Sequence, residues 1–147
     1  MINRFVSDDC YGCSACILEC SHNIIIMKRN EEGFWYPSVD TYQCTECGQC
    51  LAVCPVLNTY YQRKKPLAGY AFIGNDDLRA KSSSGGAFGA IAEKVLYEGG
   101  YVCGAAFDDD YKSVRHILID DIKDLHRIQK SKYIQSRTKY IYRDIKD

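Results

Sequence analysis

Apolar and polar positions are patterned differently in the two parts of this chain. In the first part, short apolar bursts sit between cysteines and polar turns. Ile24 to Lys28 and Phe34 to Tyr36 read as two short strands, joined by the turn Asn30-Glu31-Glu32-Gly33. One helix is expected to start near Cys16 or Cys20, and another near Cys50. Further on, Gly69 to Gly74 reads as a strand and Asn75-Asp76-Asp77 as a turn. Apolar residues at 87, 88, 91, 92, 95 and 96 then follow a helical period. One of Ser82, Ser83 and Ser84 is expected to cap that helix, and Gly99-Gly100 to end it. Tyr101 to Phe107 reads as a buried strand, Asp108-Asp109-Asp110 as a turn, Ser113 to Ile119 as a second strand and Asp121 to Lys130 as a short helix. The pattern predicts an α+β chain in three parts. Residues 1–61 form a small cysteine-rich domain, 62–68 a polar, basic linker with a Pro, and 69–147 a partial α/β domain.

Composition narrows the function. The chain has 147 residues, with 19 basic and 19 acidic side chains. That balance excludes a polybasic nucleic-acid binder and an acidic disordered tail. No run approaches the roughly 20 apolar residues of a membrane span. The segment from Met1 to Asp9 lacks the apolar core of a signal peptide, so a cytoplasmic protein is expected. Thiols are kept reduced there, and cysteines serve more often as metal ligands than as disulfides. Nine of the residues are cysteines.

Eight of those nine form two runs: Cys10, Cys13, Cys16 and Cys20, then Cys44, Cys47, Cys50 and Cys54. Each member of the second run lies 34 positions after its counterpart, an internal duplication. Both runs read C-x2-C-x2-C-x3-C, the bacterial ferredoxin spacing for 4Fe-4S clusters. Three cysteines at two-residue gaps can wrap one face of a cube. The fourth, expected at the start of a helix, points away to the other cluster. One cluster is therefore assigned to Cys10, Cys13, Cys16 and Cys54, and the other to Cys44, Cys47, Cys50 and Cys20. The alternative is structural zinc, which favours paired C-x2-4-C knuckles. Ser21 stands after Cys20 where the ferredoxin pattern usually has Pro; Pro55 keeps that place in the second run. Residues 1–61 carry three basic and seven acidic side chains, and 62–147 carry 16 basic and 12 acidic. So small a first domain needs its metal for much of its folding energy. Phe34, Trp35 and Tyr36 are expected to cover the clusters.

The second part offers weaker chemistry. Ser82-Ser83-Ser84-Gly85-Gly86 at a helix start can cradle a phosphate with backbone N–H groups, or simply cap the helix. Cys103 reads as a buried inert thiol, and His22, His116 and His126 have no ligand spacing. No nucleophile, general base or carboxylate pair stands out.

With the two cysteine runs, Lys81-Ser82-Ser83-Ser84-Gly85-Gly86, Gly104-Ala105-Ala106-Phe107-Asp108 and Ser131-Lys132-Tyr133-Ile134-Gln135-Ser136 follow in order. This set resembles the coenzyme F-420 hydrogenase/dehydrogenase beta-subunit family. The resemblance implies an iron–sulfur flavoprotein passing electrons between its clusters, a bound FAD, and a redox partner protein or a flavin or deazaflavin substrate. It makes Ser84, Gly85 and Gly86 contacts for a flavin phosphate, and Lys132 and Tyr133 part of the flavin site. Members of that family are longer, which implies that this chain is a truncated N-terminal portion. Three readings follow: an electron-transfer portion of a flavin-dependent oxidoreductase, a stand-alone small electron carrier, or a zinc-stabilised interaction module.

Overall fold

In a computed structural model, which describes residues 1–58, 66–138 and 140–146, the duplicated spacing is also a duplicated backbone. Helix α1 (Ala15–Leu18) and helix α2 (Gln49–Ala52) occupy equivalent places in the two cysteine runs. Each follows a residue in the left-handed region, Ser14 at φ 63° and Gly48 at φ 82°. A second left-handed residue precedes the second cysteine of each run, Gly12 at φ 64° and Glu46 at φ 55°. The closing hydrogen bonds repeat too: the Cys20 N–H donates to the Ile17 carbonyl and the Cys54 N–H to the Leu51 carbonyl. Glycine is the residue that takes this conformation at least cost. Each repeat supplies it at only one of its two positions, so the repeat is plainer in the backbone than in the glycines.

By packing, the chain divides into one unit of Met1–Lys64 with Thr138–Tyr142, and a second of Lys65–Arg137 with Arg143–Asp147. The first unit places α1 and α2 beside an antiparallel hairpin of β1 (Ile25–Arg29) and β2 (Trp35–Val39), with Met27 opposite Pro37. A 3-10 turn at Ile2–Arg4 packs on β2. The core consists of Ile2, Val6, Ile25, Cys16 and Cys54. Two of its five buried residues are thus cysteines, which leaves little apolar surface to drive folding.

The second unit holds α3 (Asp76–Ala80), α4 (Ala87–Tyr97), β3 (Val102–Phe107), β4 (Val114–Ile119), a 3-10 turn at Ile122–Asp124 and α5 (Leu125–Ile128). Helix α6 (Ile141–Lys146) lies across the division. β3 and β4 pair antiparallel, from Val102 opposite Ile119 to Phe107 opposite Val114. Ala92 and Leu96 of α4, Ala106, Ile119, Leu125 and Ile128 form its core. Gly99, at φ 78°, ends α4 as its spacing predicts, with its N–H on the Leu96 carbonyl.

Four expectations are corrected here. Residues 69–74 form no strand: Tyr70 and Ile73 are exposed and no described strand pairs with them, so their apolar content has no ladder to join. The expected turn at Asn75-Asp76-Asp77 opens helix α3, because the Asn75 side chain accepts the Leu78 N–H at 3.0 Å and caps it. The partial α/β domain is an α+β unit among the described residues: its strands pair antiparallel, and its parallel contact is an isolated bridge between Arg115 and Arg137. The fourth cysteine of each run follows its helix instead of starting it. Of the expected linker, residues 62–65 lie outside the described residues.

Candidate iron–sulfur centre

The crossed assignment of the cysteines has a geometric counterpart. One cavity of the first unit is lined by Cys10, Cys13, Cys16 and Cys54, with Ile2, Val6, Met27, Pro37 and Val56 among its walls. A second is lined by Cys20, Cys44, Cys47 and Cys50, with Ile24, Ile25 and Val39. Each takes three cysteines from one run and the fourth from the other. The cause is local. The left-handed residues curl the first three cysteines into a loop. The short helix then carries the chain one turn further before the fourth is reached. Phe34, Trp35 and Tyr36 line neither cavity; the aliphatic side chains of the same hairpin do. Trp35 instead lies under the Arg29 guanidinium, 4.7 Å from its ring centre, because the two are directly opposite in the β1–β2 register.

Burial opposes ionisation at two of the eight cysteines, Cys16 and Cys10. Burial pushes the Cys16 thiol up to about 12, and Cys13, Cys10 and Cys50 add to the rise. Burial also raises Cys10, opposed by the Gly12 N–H, which donates to the Cys10 sulfur at 3.4 Å. A ligating thiol must lose its proton, so metal uptake here releases protons and places iron cations where isolated thiolates are disfavoured. Among the described residues, no three His, Cys, Asp or Glu side chains converge closely enough to ligate one metal ion. A 4Fe-4S cube carries one thiolate on each of its four irons, so its ligands ring a body instead of meeting at a point. Four cysteines round each cavity fit that demand.

The expected flavin contacts divide in the structure. Ser84, Gly85 and Gly86 line a groove of about 480 Å³ in the second unit, with Tyr70, Phe72, Phe88, Lys130 and Ser131. Gly86, at φ 91°, is the N-cap of α4 and no side chain caps the helix. The serine cap is thus corrected: Ser82 Oγ donates to the Leu78 carbonyl at 2.8 Å, and Ser83 Oγ accepts the Ser131 N–H at 2.7 Å. Both serines are committed to holding the turn, which leaves the first N–H groups of α4 without a side-chain acceptor. Lys132 and Tyr133 do not line this groove. The Lys132 ammonium donates to the carbonyls of Arg127, Gln129 and Lys130, and Tyr133 is 93% exposed. Burial lowers the Lys132 pKa from its ordinary value.

Residues 108, 113, 115 and 137 form a network that sequence reasoning missed. The Arg137 guanidinium donates to Asp108 at 2.6 Å and to Ser113 Oγ at 2.7 Å, Arg115 pairs with Asp108 at 2.7 Å, and Ser113 Oγ donates to Asp108. It ties the β3–β4 turn to residue 137. Cys103, on β3, is half-buried, and burial raises its pKa.

Comparison with known proteins bears on the first unit. The family profile for the 4Fe-4S dicluster domain matches residues 9–58, roughly a third of the chain and all eight clustered cysteines. No curated protein matches the chain. A 4Fe-4S dicluster domain at these residues supports an iron–sulfur electron-transfer role. No described helix is long and apolar enough to cross a membrane.

Proposed function

We propose that Cys10, Cys13, Cys16 and Cys54 hold one 4Fe-4S cluster, that Cys20, Cys44, Cys47 and Cys50 hold another, and that the chain works by transferring electrons through them. The observation that carries this reading is the division of the eight cysteines between two cavities, each with one cysteine crossing from the other run. When bound, each cluster supplies one-electron redox chemistry. The chain does the rest. Ile2, Val6, Met27, Pro37 and Val56 keep water from the first site. The Gly12 N–H donates to the Cys10 sulfur, and hydrogen bonds to sulfur tune the potential. The crossing of Cys20 and Cys54 ties the two sites into one folding unit. Outer-sphere transfer of one electron needs no proton to move at a side chain.

The second unit supports a finer reading, an electron-transfer portion of a flavin-dependent oxidoreductase. Its groove combines aromatic walls at Tyr70, Phe72 and Phe88 with the uncapped start of α4, where N–H groups can meet a phosphate. Ser84, Gly85 and Gly86 are the contacts proposed for FAD; Lys132 and Tyr133 would meet it only beyond the groove. A stand-alone electron carrier needs the clusters alone, and the zinc module needs cysteines paired as C-x2-4-C knuckles, which the consecutive x2 gaps of each run do not favour.

The test is iron, acid-labile sulfide and zinc per chain on anaerobically purified protein, with its absorption spectrum. About eight iron and eight sulfide are expected from two cubanes. About two zinc without sulfide would overturn the reading. FAD added to the loaded protein then separates the two redox readings: binding favours the flavoprotein, and none favours the carrier.

A further inference from the structure

The two sites are related by the repeat, but they are not equally covered. Round the first cavity, Cys16 and Cys54 are buried at 9% and 8% exposure, and Cys10 and Cys13 are half-buried. Round the second, none of the four is buried, and Cys47 is exposed. The cover of the first site comes from within its own unit. Ile2 and Val6 of the N-terminal turn reach its wall, as do Met27 and Pro37 of the hairpin. Thr138, which groups with the same unit, donates through Oγ1 to the Cys13 carbonyl at 2.7 Å. The second run has Thr45, Glu46, Gly48 and Gln49 in its wall, with Glu46 exposed.

We infer that the Cys20, Cys44, Cys47 and Cys50 side is the port at which a one-electron redox partner exchanges electrons with this chain, and that the Cys10, Cys13, Cys16 and Cys54 side is the interior station. This rests on the two-cluster reading above. One electron leaves the partner and enters at the exposed side; no bond forms or breaks and no proton is needed. A partner reaches an exposed thiolate more closely than one shielded by Ile2, Val6 and Pro37. Exposure also sets cluster potentials, so the two sites differ in potential as well as access.

Two measurements test it. In the first, loaded protein is treated with an iron chelator, sampled over time, alkylated and mapped by peptide mass. Iron is expected to leave in two phases, the first half exposing Cys20, Cys44, Cys47 and Cys50 to alkylation while the other four stay protected. Simultaneous labelling of all eight, or earlier labelling of the first-site set, overturns the inference. Early labelling of Cys10, Cys13, Cys16 and Cys20 together would instead overturn the crossed ligation, and the absence of iron and sulfide at the outset would overturn the cluster reading itself. In the second, a bulky polymer is attached at Tyr42→Cys or at its repeat counterpart Asp8→Cys; both positions are exposed and two residues before a run. Electron exchange of the reduced protein with a soluble haem protein is expected to slow several-fold for the first and to change little for the second. The reverse order overturns the port.

Discussion

At the scale of single residues, the crossing cysteines carry the sharpest consequence. Cys20 belongs by sequence to the first run and by position to the second cavity. Cys20→Ala is therefore expected to leave about four iron per chain, with Cys10, Cys13, Cys16 and Cys54 still protected from alkylation. Cys54→Ala is expected to protect the opposite set. Iron analysis with peptide mapping checks both, and protection of an intact sequential run would contradict the crossing. Asp108 makes a second case. The hydrogen bond from Ser113, then that from Arg137 and the charges of Arg137 and Arg115, hold its carboxyl below the usual carboxylate range. A depressed folded-state pKa gives stability that is complete above the unfolded value of about 4 and lost as pH falls through the folded value. Melting temperature of the native chain should therefore fall as pH drops below about 4, and Asp108→Asn should be less stable at neutral pH and lose that part of the pH dependence. Identical profiles would mean that the network contributes nothing.

At the scale of elements, close approach decides where side chains can be small. β3 lies so near α5 that a Cβ on Gly104 would sit 2.9 Å from the Ile128 Cβ. Gly104→Ala should cost about 1–3 kcal/mol by overpacking, read from the denaturation midpoint. Gly69→Ala, which meets open space, should leave the midpoint nearly unchanged. The elements also show how far local pattern reached. The hairpin of β1 and β2, helix α4 with its glycine stop, and the β3–β4 pair follow from periodicity and turn residues. The strand at 69–74 failed because pattern records apolar content but not whether a neighbouring edge exists. Helix α3 was hidden because Asn-Asp-Asp is both turn chemistry and a capped helix start, and the Asn75 bond to Leu78 decides between them.

At the scale of the whole molecule, charge and metal dominate. Residues 1–61 carry four more acidic than basic side chains, while the remainder carries four more basic than acidic. Bound clusters make the first unit more negative still. Oxidation of the reduced protein by cationic hexaamminecobalt should slow as salt is added, and oxidation by anionic ferricyanide should not. Equal salt dependence would show that the acidic surface does not govern access. Because two of the five buried core residues of the first unit are cysteines, iron removal should also unfold that unit. The core of Ala92, Leu96, Ala106, Ile119, Leu125 and Ile128 contains no clustered cysteine and should survive. Amide exchange before and after chelation checks this, by loss of protection in the first unit and its retention in the second.

The sequence by itself determined the metal chemistry, since ligand type and spacing are local and the duplicated offset of 34 is visible without a fold. The ferredoxin spacing also implied the crossing, which the proposed ligation carries forward. The sequence located Ser84, Gly85 and Gly86 at a helix start, but placed Lys132 and Tyr133 beside them on resemblance alone. Only the tertiary structure separated those two from the groove, through three carbonyls that take up the Lys132 ammonium. Only the tertiary structure broke the equivalence of the two cysteine runs. Their spacing is identical, so no reading of the spacing could rank them. What ranks them is Ile2, Val6, Met27 and Pro37, distant in sequence and brought to one wall by packing.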